Sequence, residues 1–444
     1  MGGKLPWNIQ GCSLTHPLTP SRQGRGNLSV IRLHVALILL LLQLLLPSLS
    51  PAQEISGYVE AKGFAYSERS NHDDPWVTGW GTLFNKWERK LGQTQLTASL
   101  RGEWISSDEQ GRRLFDPADR HIRRPPLSVM DLWLRSPLTP ELDLQLGRFQ
   151  LGWGKTDGYS PADAFLPRDL SDPFGDEKLP LWGVRLTGQK SALRYEAVAC
   201  PLTTPWRLPL LGSRNAPLKT EGLPPGTTFR EIDSSPPELG FAALRLLYTV
   251  GEWDLGAWVR GGTRPAPLLD FRFDRATIGS TGPVIPVERR YAREEAVGIE
   301  LSRIIGSWVL RGEAAALFSR DRDLGAALIG SLSAEKGFGD GTLLITLAGN
   351  AIDPPEDNSL LFDRAMLPLL IAAWNRTEEW GEWKLVWNVG LRQGDGLFKM
   401  EAGYNLTDLW KVTVGAELPY GSDEGPFGAL QAARRVHVAL RRSW

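Results

Sequence analysis

The chain has 444 residues, with 50 Lys and Arg against 51 Asp and Glu, for a net charge of −1. That balance offers no basic footprint for nucleic acid. Of its 2 cysteines, Cys12 precedes the only long apolar run, so Cys200 is left alone and the chain is no disulfide scaffold.

The N-terminus reads as an export leader. Arg22, Arg25 and Arg32 precede the apolar stretch Leu33–Leu46, which ends at Pro47 and the small-residue site Ser50-Pro51-Ala52. The stretch is too short for a spanning helix, which needs roughly 20 residues. Cleavage after Ala52 is expected, making 1–52 a leader with an N-terminal extension and 53–444 the mature domain. Residues 1 to about 28 are long and polar for a leader, as a start codon placed too far upstream would leave them, and are excluded from the fold.

From Gln53 onward, period-two alternation bounded by turn residues predicts strands. They fall near 55–66, 78–89, 94–105, 128–136, 141–149, 181–188, 191–199, 240–250 and 253–262, then 292–303, 307–318, 325–334, 341–349, 369–378, 382–392, 396–405, 409–418 and 433–444. The run from Gly381 to Glu417 is the clearest: Trp383, Leu385, Trp387, Val389 and Leu391 alternate with Lys384, Val386, Asn388, Gly390 and Arg392. Phe398, Met400, Ala402 and Tyr404 then alternate with Lys399, Glu401, Gly403 and Asn405, and Trp410, Val412, Val414 and Ala416 with Lys411, Thr413, Gly415 and Glu417.

About 18 strands, an even number, suit a single-chain barrel of the bacterial outer membrane. Connections after even strands are short, whereas those after odd strands are mostly long, as periplasmic turns and outer loops are. The connections near 319–324 and 393–395 depart from that rule. The 18 tryptophans agree with a molecule that has two lipid–water interfaces. The expected fold class is therefore all-β, a transmembrane antiparallel up-and-down barrel. Along the last strand Val436, Val438, Leu440 and Arg442 point outward, and the terminal Trp444 looks like the signal read by the barrel-assembly machinery.

Parity then assigns a lumen face. Arg101/Glu103, Arg194/Glu196, Arg311/Glu313 and Lys399/Glu401 are base-x-acid pairs on that face of four strands, joined by Asp131, Arg185, Arg245, Asp254, Arg260, Glu300, Lys384, Lys411, Glu417 and Arg441. The mixed signs predict no strong ion selectivity from the wall alone. Mutual pairing across strands accounts for most such charges, and an arginine ladder steering an anion is the sharper reading.

The segment Leu146–Asp157, followed by Gly158–Asp163 and Pro167–Pro173, carries glycines and prolines that forbid a regular strand. Its Gly147, Arg148, Trp153, Gly154 and Asp157, with the closing Gly425-Pro426-Phe427-Gly428, resemble a family of uncharacterised porin-like outer-membrane proteins. The resemblance extends over most of the mature chain on few fixed residues, and it implies the barrel fold without naming a substrate. By analogy with general porins, loop 150–180 would fold inward, and Lys155, Asp157, Asp163, Arg168, Asp169 and Asp172 would line a constriction. The bland alternative is an outer cap held by Asp-turns. A Ca²⁺ site among these acids lacks regular ligand spacing and is set aside.

Enzymatic readings are weak. The mature chain holds His72, His121 and His437, with no phosphate loop, zinc-finger spacing or HExxH motif. His72 beside Asp73 and Asp74 is the one rim arrangement that resembles a protease site. No cofactor, metal or catalytic residue is expected. The sequence thus points to a porin-like channel that passes or binds a small solute, with lipids and the assembly machinery as partners and homo-oligomerisation left open. The alternative is a non-channel barrel filled by its long loops 200–239 and 263–291, serving adhesion, assembly or envelope structure. A rim hydrolase ranks third.

Overall fold

Each of the 18 predicted strands is present. The computed structural model describes residues 53–68, 75–106, 111, 113–175, 177–216, 223–232, 236–353 and 367–444. The leader and its cleavage site, and His72 with its two aspartates, lie outside the described residues.

The barrel strands are β1 (Gln53–Tyr66), β2 (Val77–Leu91), β3 (Thr94–Ile105), β4 (Leu127–Thr139), β5 (Leu142–Phe149) and β6 (Leu181–Lys190). Next come β7 (Leu193–Cys200), β8 (Phe241–Val250), β9 (Trp253–Thr263), β10 (Arg293–Ile305), β11 (Trp308–Phe318) and β12 (Ala326–Phe338). The last are β13 (Gly341–Asp353), β14 (Leu369–Glu378), β15 (Gly381–Gly390), β16 (Asp395–Asn405), β17 (Trp410–Tyr420) and β18 (Arg435–Ser443).

All 18 belong to one sheet in which each strand pairs antiparallel with its chain neighbours. The sheet closes where β1 meets β18, in register from Tyr58 opposite Ser443 to Tyr66 opposite Arg435. Trp444 extends the seam, exchanging backbone hydrogen bonds of 3.3 and 3.1 Å with Gly57. The result is a closed up-and-down barrel without a free edge.

The two ends differ as expected. Seven of the eight connections at the turn end have two residues, and the eighth spans 406–409. The other end carries the long segments, and there the sequence reading is incomplete. Arg168–Asp169 pairs with Glu177–Lys178, and Thr228–Ile232, Leu268–Phe271 and Thr277–Ile278 assemble on Pro283–Arg290 as a small second sheet. Several strand ends also need correction: β15 stops at Gly390, opposite Asp395, with Leu391 and Arg392 in the turn, β7 begins at Leu193 after the turn at 191–192, and β18 begins at Arg435 after the helical turn Gly428–Ala433.

The outward face is apolar. Leu244, Leu246, Val259, Val297, Ile299, Leu328, Leu332, Val436, Val438 and Leu440 are all exposed, as side chains meeting acyl tails should be. Trp253, Trp308, Trp380 and Trp410 sit beside the short turns and form an aromatic belt at that end. Three other tryptophans, Trp153, Trp206 and Trp258, are buried inside, so the high Trp count serves two purposes.

Inward burial is uneven along the strands. In β10 alternate residues from Glu294 to Glu300 are buried, and those nearer the turn are not. Strands β8, β12 and β18 fade in the same direction. The lumen is thus filled in its loop-side half and open to water in its turn-side half.

Candidate functional site

Loop 150–180 fills the barrel. It leaves β5 through Gly147, whose φ of +126° and 2.1 Å approach of an ideal Cβ to the Leu132 carbonyl leave room for glycine alone. Arg148 is 0% exposed, donating to the Val129 carbonyl at 2.7 Å, to the Pro117 carbonyl and to Asp119. Trp153 follows, fully buried, its indole N–H on Glu196 at 2.9 Å and its carbonyl accepting Arg245 Nη2 at 2.6 Å. A side chain at Gly154 would lie 2.4 Å from Ser160 Oγ and 2.9 Å from Asp163, so the chain can turn there only without a Cβ. Gly147, Arg148, Trp153 and Gly154 therefore build the root of an inward loop.

The tip of the loop crosses to the far wall and rests on one carboxylate. Glu313 of β11 accepts the Lys155 backbone N–H, Thr156 N–H at 2.6 Å, Thr156 Oγ1 at 3.0 Å, Ser160 Oγ at 2.6 Å and Ala162 N–H at 3.1 Å. Thr156 Oγ1 also meets Ser331 at 2.8 Å, and the Asp157 carbonyl accepts Thr346 Oγ1 at 2.8 Å. Asp157 itself pairs with Arg311 at 3.0 Å. Burial raises its carboxyl above the ordinary value and Glu335 and Glu313 add to the rise, while Arg311 opposes it. Burial likewise lowers the Lys155 amine, against the pull of Glu300 and Asp254.

Between root and tip the loop packs as a core. Leu151, Trp153, Ala162, Phe165, Leu166 and Phe174 join wall residues on many strands, among them Val198, Phe241, Trp258, Ala315, Ile329, Ile371 and Leu397. Phe165 meets Trp153, Trp258 and Phe241 with ring centroids 5.8, 5.4 and 6.0 Å apart, and Arg260 lies over it at 4.8 Å. Burying each large apolar side chain contributes about 1.5–3 kcal/mol.

A chain of ion pairs then locks the loop to its neighbours. Arg148 holds Asp119, Asp119 meets Arg207 at 2.8 Å, and Arg207 holds Asp169. Asp169 meets Arg124 at 2.9 Å, Arg124 meets Glu103 at 2.8 Å, Glu103 meets Arg101 at 3.1 Å, and Arg101 holds Glu177. The chain ties strands β3 and β5 to segments 106–126, 150–180 and 201–240. Burial alone would raise the Asp169 carboxyl, but Arg124, Arg207 and the Ser171 hydroxyl hold it well below the usual carboxylate range. On the opposite side Arg435 of β18 grips Asp172 at 2.8 Å, and Lys399 reaches the Phe174 carbonyl at 2.8 Å.

Most of the six loop residues expected at a constriction are thus bonded. Asp163 accepts the N–H groups of Trp153 and Gly154 at 2.8 and 3.0 Å and holds Lys178, Arg168 sits in the two-residue strand opposite Lys178, and Asp169 and Asp172 are locked as above. Of the four base-x-acid pairs, Arg101 and Glu103 bond each other. Glu196 turns to Arg185 at 2.7 Å, Arg311 turns to Asp157 and Glu335, Glu313 takes the loop, and Glu401 faces His437. His437 lies between Glu417 at 3.2 Å and Glu401 at 3.7 Å, and His121 contacts Arg113 at 2.7 Å.

Four members of the lock, Asp119, Arg124, Glu177 and Arg207, escaped the sequence reading. Their only signal was charge density in segments too irregular to assign a face. Loop 263–291 also stays largely with its neighbours: Trp206, Leu208, Ala266, Leu269 and Val287 form a separate apolar cluster, joined to the inward loop where the Trp206 indole N–H donates to the Leu166 carbonyl at 2.7 Å.

Below the loop root, in the turn-side half, lies a cavity of about 410 Å³ between β4, β5, β6, β7 and β8. Gly152 and Arg245 roof it, and Arg135, Gln145, Arg185 and Arg194 lie on its walls.

No family model matches the chain, and no curated protein matches its sequence. Among solved structures it is similar to an engineered triple variant of Rhodopseudomonas blastica porin, with a TM-score of 0.38 and 10% identity over 88% of this chain and 100% of that one. Another variant of the same porin gives a TM-score of 0.39 at 11% identity over the same shares of each chain. Neither likeness transfers a residue role or an activity.

Proposed function

We propose that this chain is an outer-membrane channel for a small solute, with loop 150–180 as its constriction. The carrying observation is the loop's position across the lumen, with five donors on Glu313 and its root on Arg245 and Glu196. Barrels of this strand number enclose water unless something fills them, and here the filling is confined to one half. Passage is passive: a polar wall lowers the cost of moving a polar solute past the bilayer, and the loop sets the size limit. The export leader, the lipid-facing belt and the terminal Trp444 support an outer-membrane location and insertion by the barrel-assembly machinery. The motif residues at the loop root support membership of the uncharacterised porin-like family they resemble.

A second reading has its own support. The apolar packing of Phe165 and its neighbours, with the ion-pair lock above, suits a barrel permanently closed at the loop end. Planar-bilayer recordings of the purified, folded protein separate the two. The channel reading expects discrete conductance steps, and a steady zero from folded protein eliminates it in favour of the plugged barrel.

A further inference from the structure

We propose that the cavity beneath the loop root is a binding site for a small oxyanion, a carboxylate or a phosphate, entered from the turn end. The inference rests on the channel reading only in making that anion the solute.

Register brings the donors together. Arg135, Gln145 and Arg185 lie directly opposite one another on β4, β5 and β6, all facing the cavity. Gln145 is only 9% exposed, yet its amide makes no hydrogen bond among the described residues and faces this space. Its amide atoms are open to the cavity, so a ligand can take the place of water on them.

The charges point to an anion. Asp143 neutralises Arg135 at 2.6 Å, Glu196 neutralises Arg185 at 2.7 Å, and Glu300 neutralises Arg245 at 2.6 Å. Arg194, exposed on the same wall, has no ion-pair partner among the described residues, so the cavity keeps one uncompensated cation. Arg185 engages Glu196 through Nε, which leaves its two Nη groups for a ligand. Glu196, the one carboxylate on the cavity wall, receives both Arg185 and the Trp153 indole on Oε1, so its charge is already matched by a guanidinium. The volume of about 410 Å³ suits a small organic molecule. A guanidinium fork and an amide donor fit the oxygens of a carboxylate or phosphate head. Leu247 on the same wall accommodates an apolar remainder.

The test titrates the full barrel in detergent by calorimetry, with sodium phosphate and sodium succinate in separate arms on a chloride background. Saturable heat is expected in at least one arm, and the arms identify the head group. Arg194→Ala, at an exposed position, should weaken binding about tenfold, the usual loss for a charge-assisted hydrogen bond. Gln145→Leu should weaken it too. Lys384→Ala, an exposed lumen cation on β15, nine strands away around the ring, should leave it unchanged. Heat-shifted gel mobility verifies folding of each variant. Absence of saturable binding in both arms overturns the site, as does an equal loss from Lys384→Ala and Arg194→Ala. Conductance is recorded on the same preparation. A conducting barrel that binds neither anion defeats this inference alone, and a binding barrel that never conducts defeats the channel reading alone.

Discussion

The two halves of the lumen solve opposite problems with the same residue types. In the loop-side half, the arginines of the lock are buried and held by acids from other segments, as in the Arg207–Asp169–Arg124 run. In the turn-side half, Arg135 and Arg185 stand on the cavity with one acid each, and Arg194 has none among the described residues. Paired and buried, a guanidinium becomes a staple whose removal strands its acids; solvated and half-paired, it becomes a hand held out to a ligand. The local sequence around each arginine does not distinguish the two uses. What surrounds it does.

The largest effect that would break this contrast is expected at the lock. Asp169→Asn leaves Arg124 and Arg207 buried without their shared carboxylate, and loss of one partner from a buried pair costs about 3–5 kcal/mol. The variant should expose loop 150–180 to trypsin at Arg168 and Lys178 while the barrel strands stay protected, as read by mass spectrometry of the fragments. Cleavage at the wild-type rate would show that packing around Phe165, not charge, holds the loop.

Glu313→Ala should do less to stability and more to passage. It strips five donors of their acceptor, for about 2–4 kcal/mol of tip docking, and leaves the root and lock in place. Single-channel conductance should rise, with flicker as the tip moves. Unchanged conductance in a folded variant would remove the tip from the permeation path.

The smallest effect is that of pH, and it differs between lock and tip. The Asp169 carboxyl is depressed in the folded state, so its stabilisation is fully present above the ordinary carboxylate pKa of about 3.9 and is lost only as pH falls through the lower folded value. The Asp157 carboxyl is raised, so its contribution is present below the ordinary value and is lost as pH rises through the raised one. Asp157 is more than half exposed, which screens the effect. Hydrogen-exchange protection near 155–160 should therefore weaken slightly from acid to neutral pH, while that near 168–172 holds constant. A parallel loss at both places would contradict the separate roles assigned to them.

The barrel itself was legible because a half-buried strand writes its period into consecutive residues. Trp383 to Val389 declare one face to lipid and the other to water without reference to anything distant. The strand Pro283–Arg290 was missed for the complementary reason: it pairs on both edges inside the loop region, and Pro286 interrupts the pattern. Parity placed Glu313 on the lumen face correctly, but that it would receive Thr156, 157 positions earlier, is a matter of loop path that no local period records. Asp119, Arg124 and Arg207 come from two separate segments and meet only in the folded chain, so density of charge was visible and partnership was not.

The seam between the first and last strands sets an order on assembly. Until the final nine residues of β18 arrive, one edge of β1 has no hydrogen-bonding neighbour and is open to mispairing with another polypeptide. Arg435, the residue that fastens Asp172, sits on that same late strand. Closing the cylinder therefore also adds a wall contact to the inward loop, so a chain truncated before its last strand would lose both the seam and the Asp172 anchor.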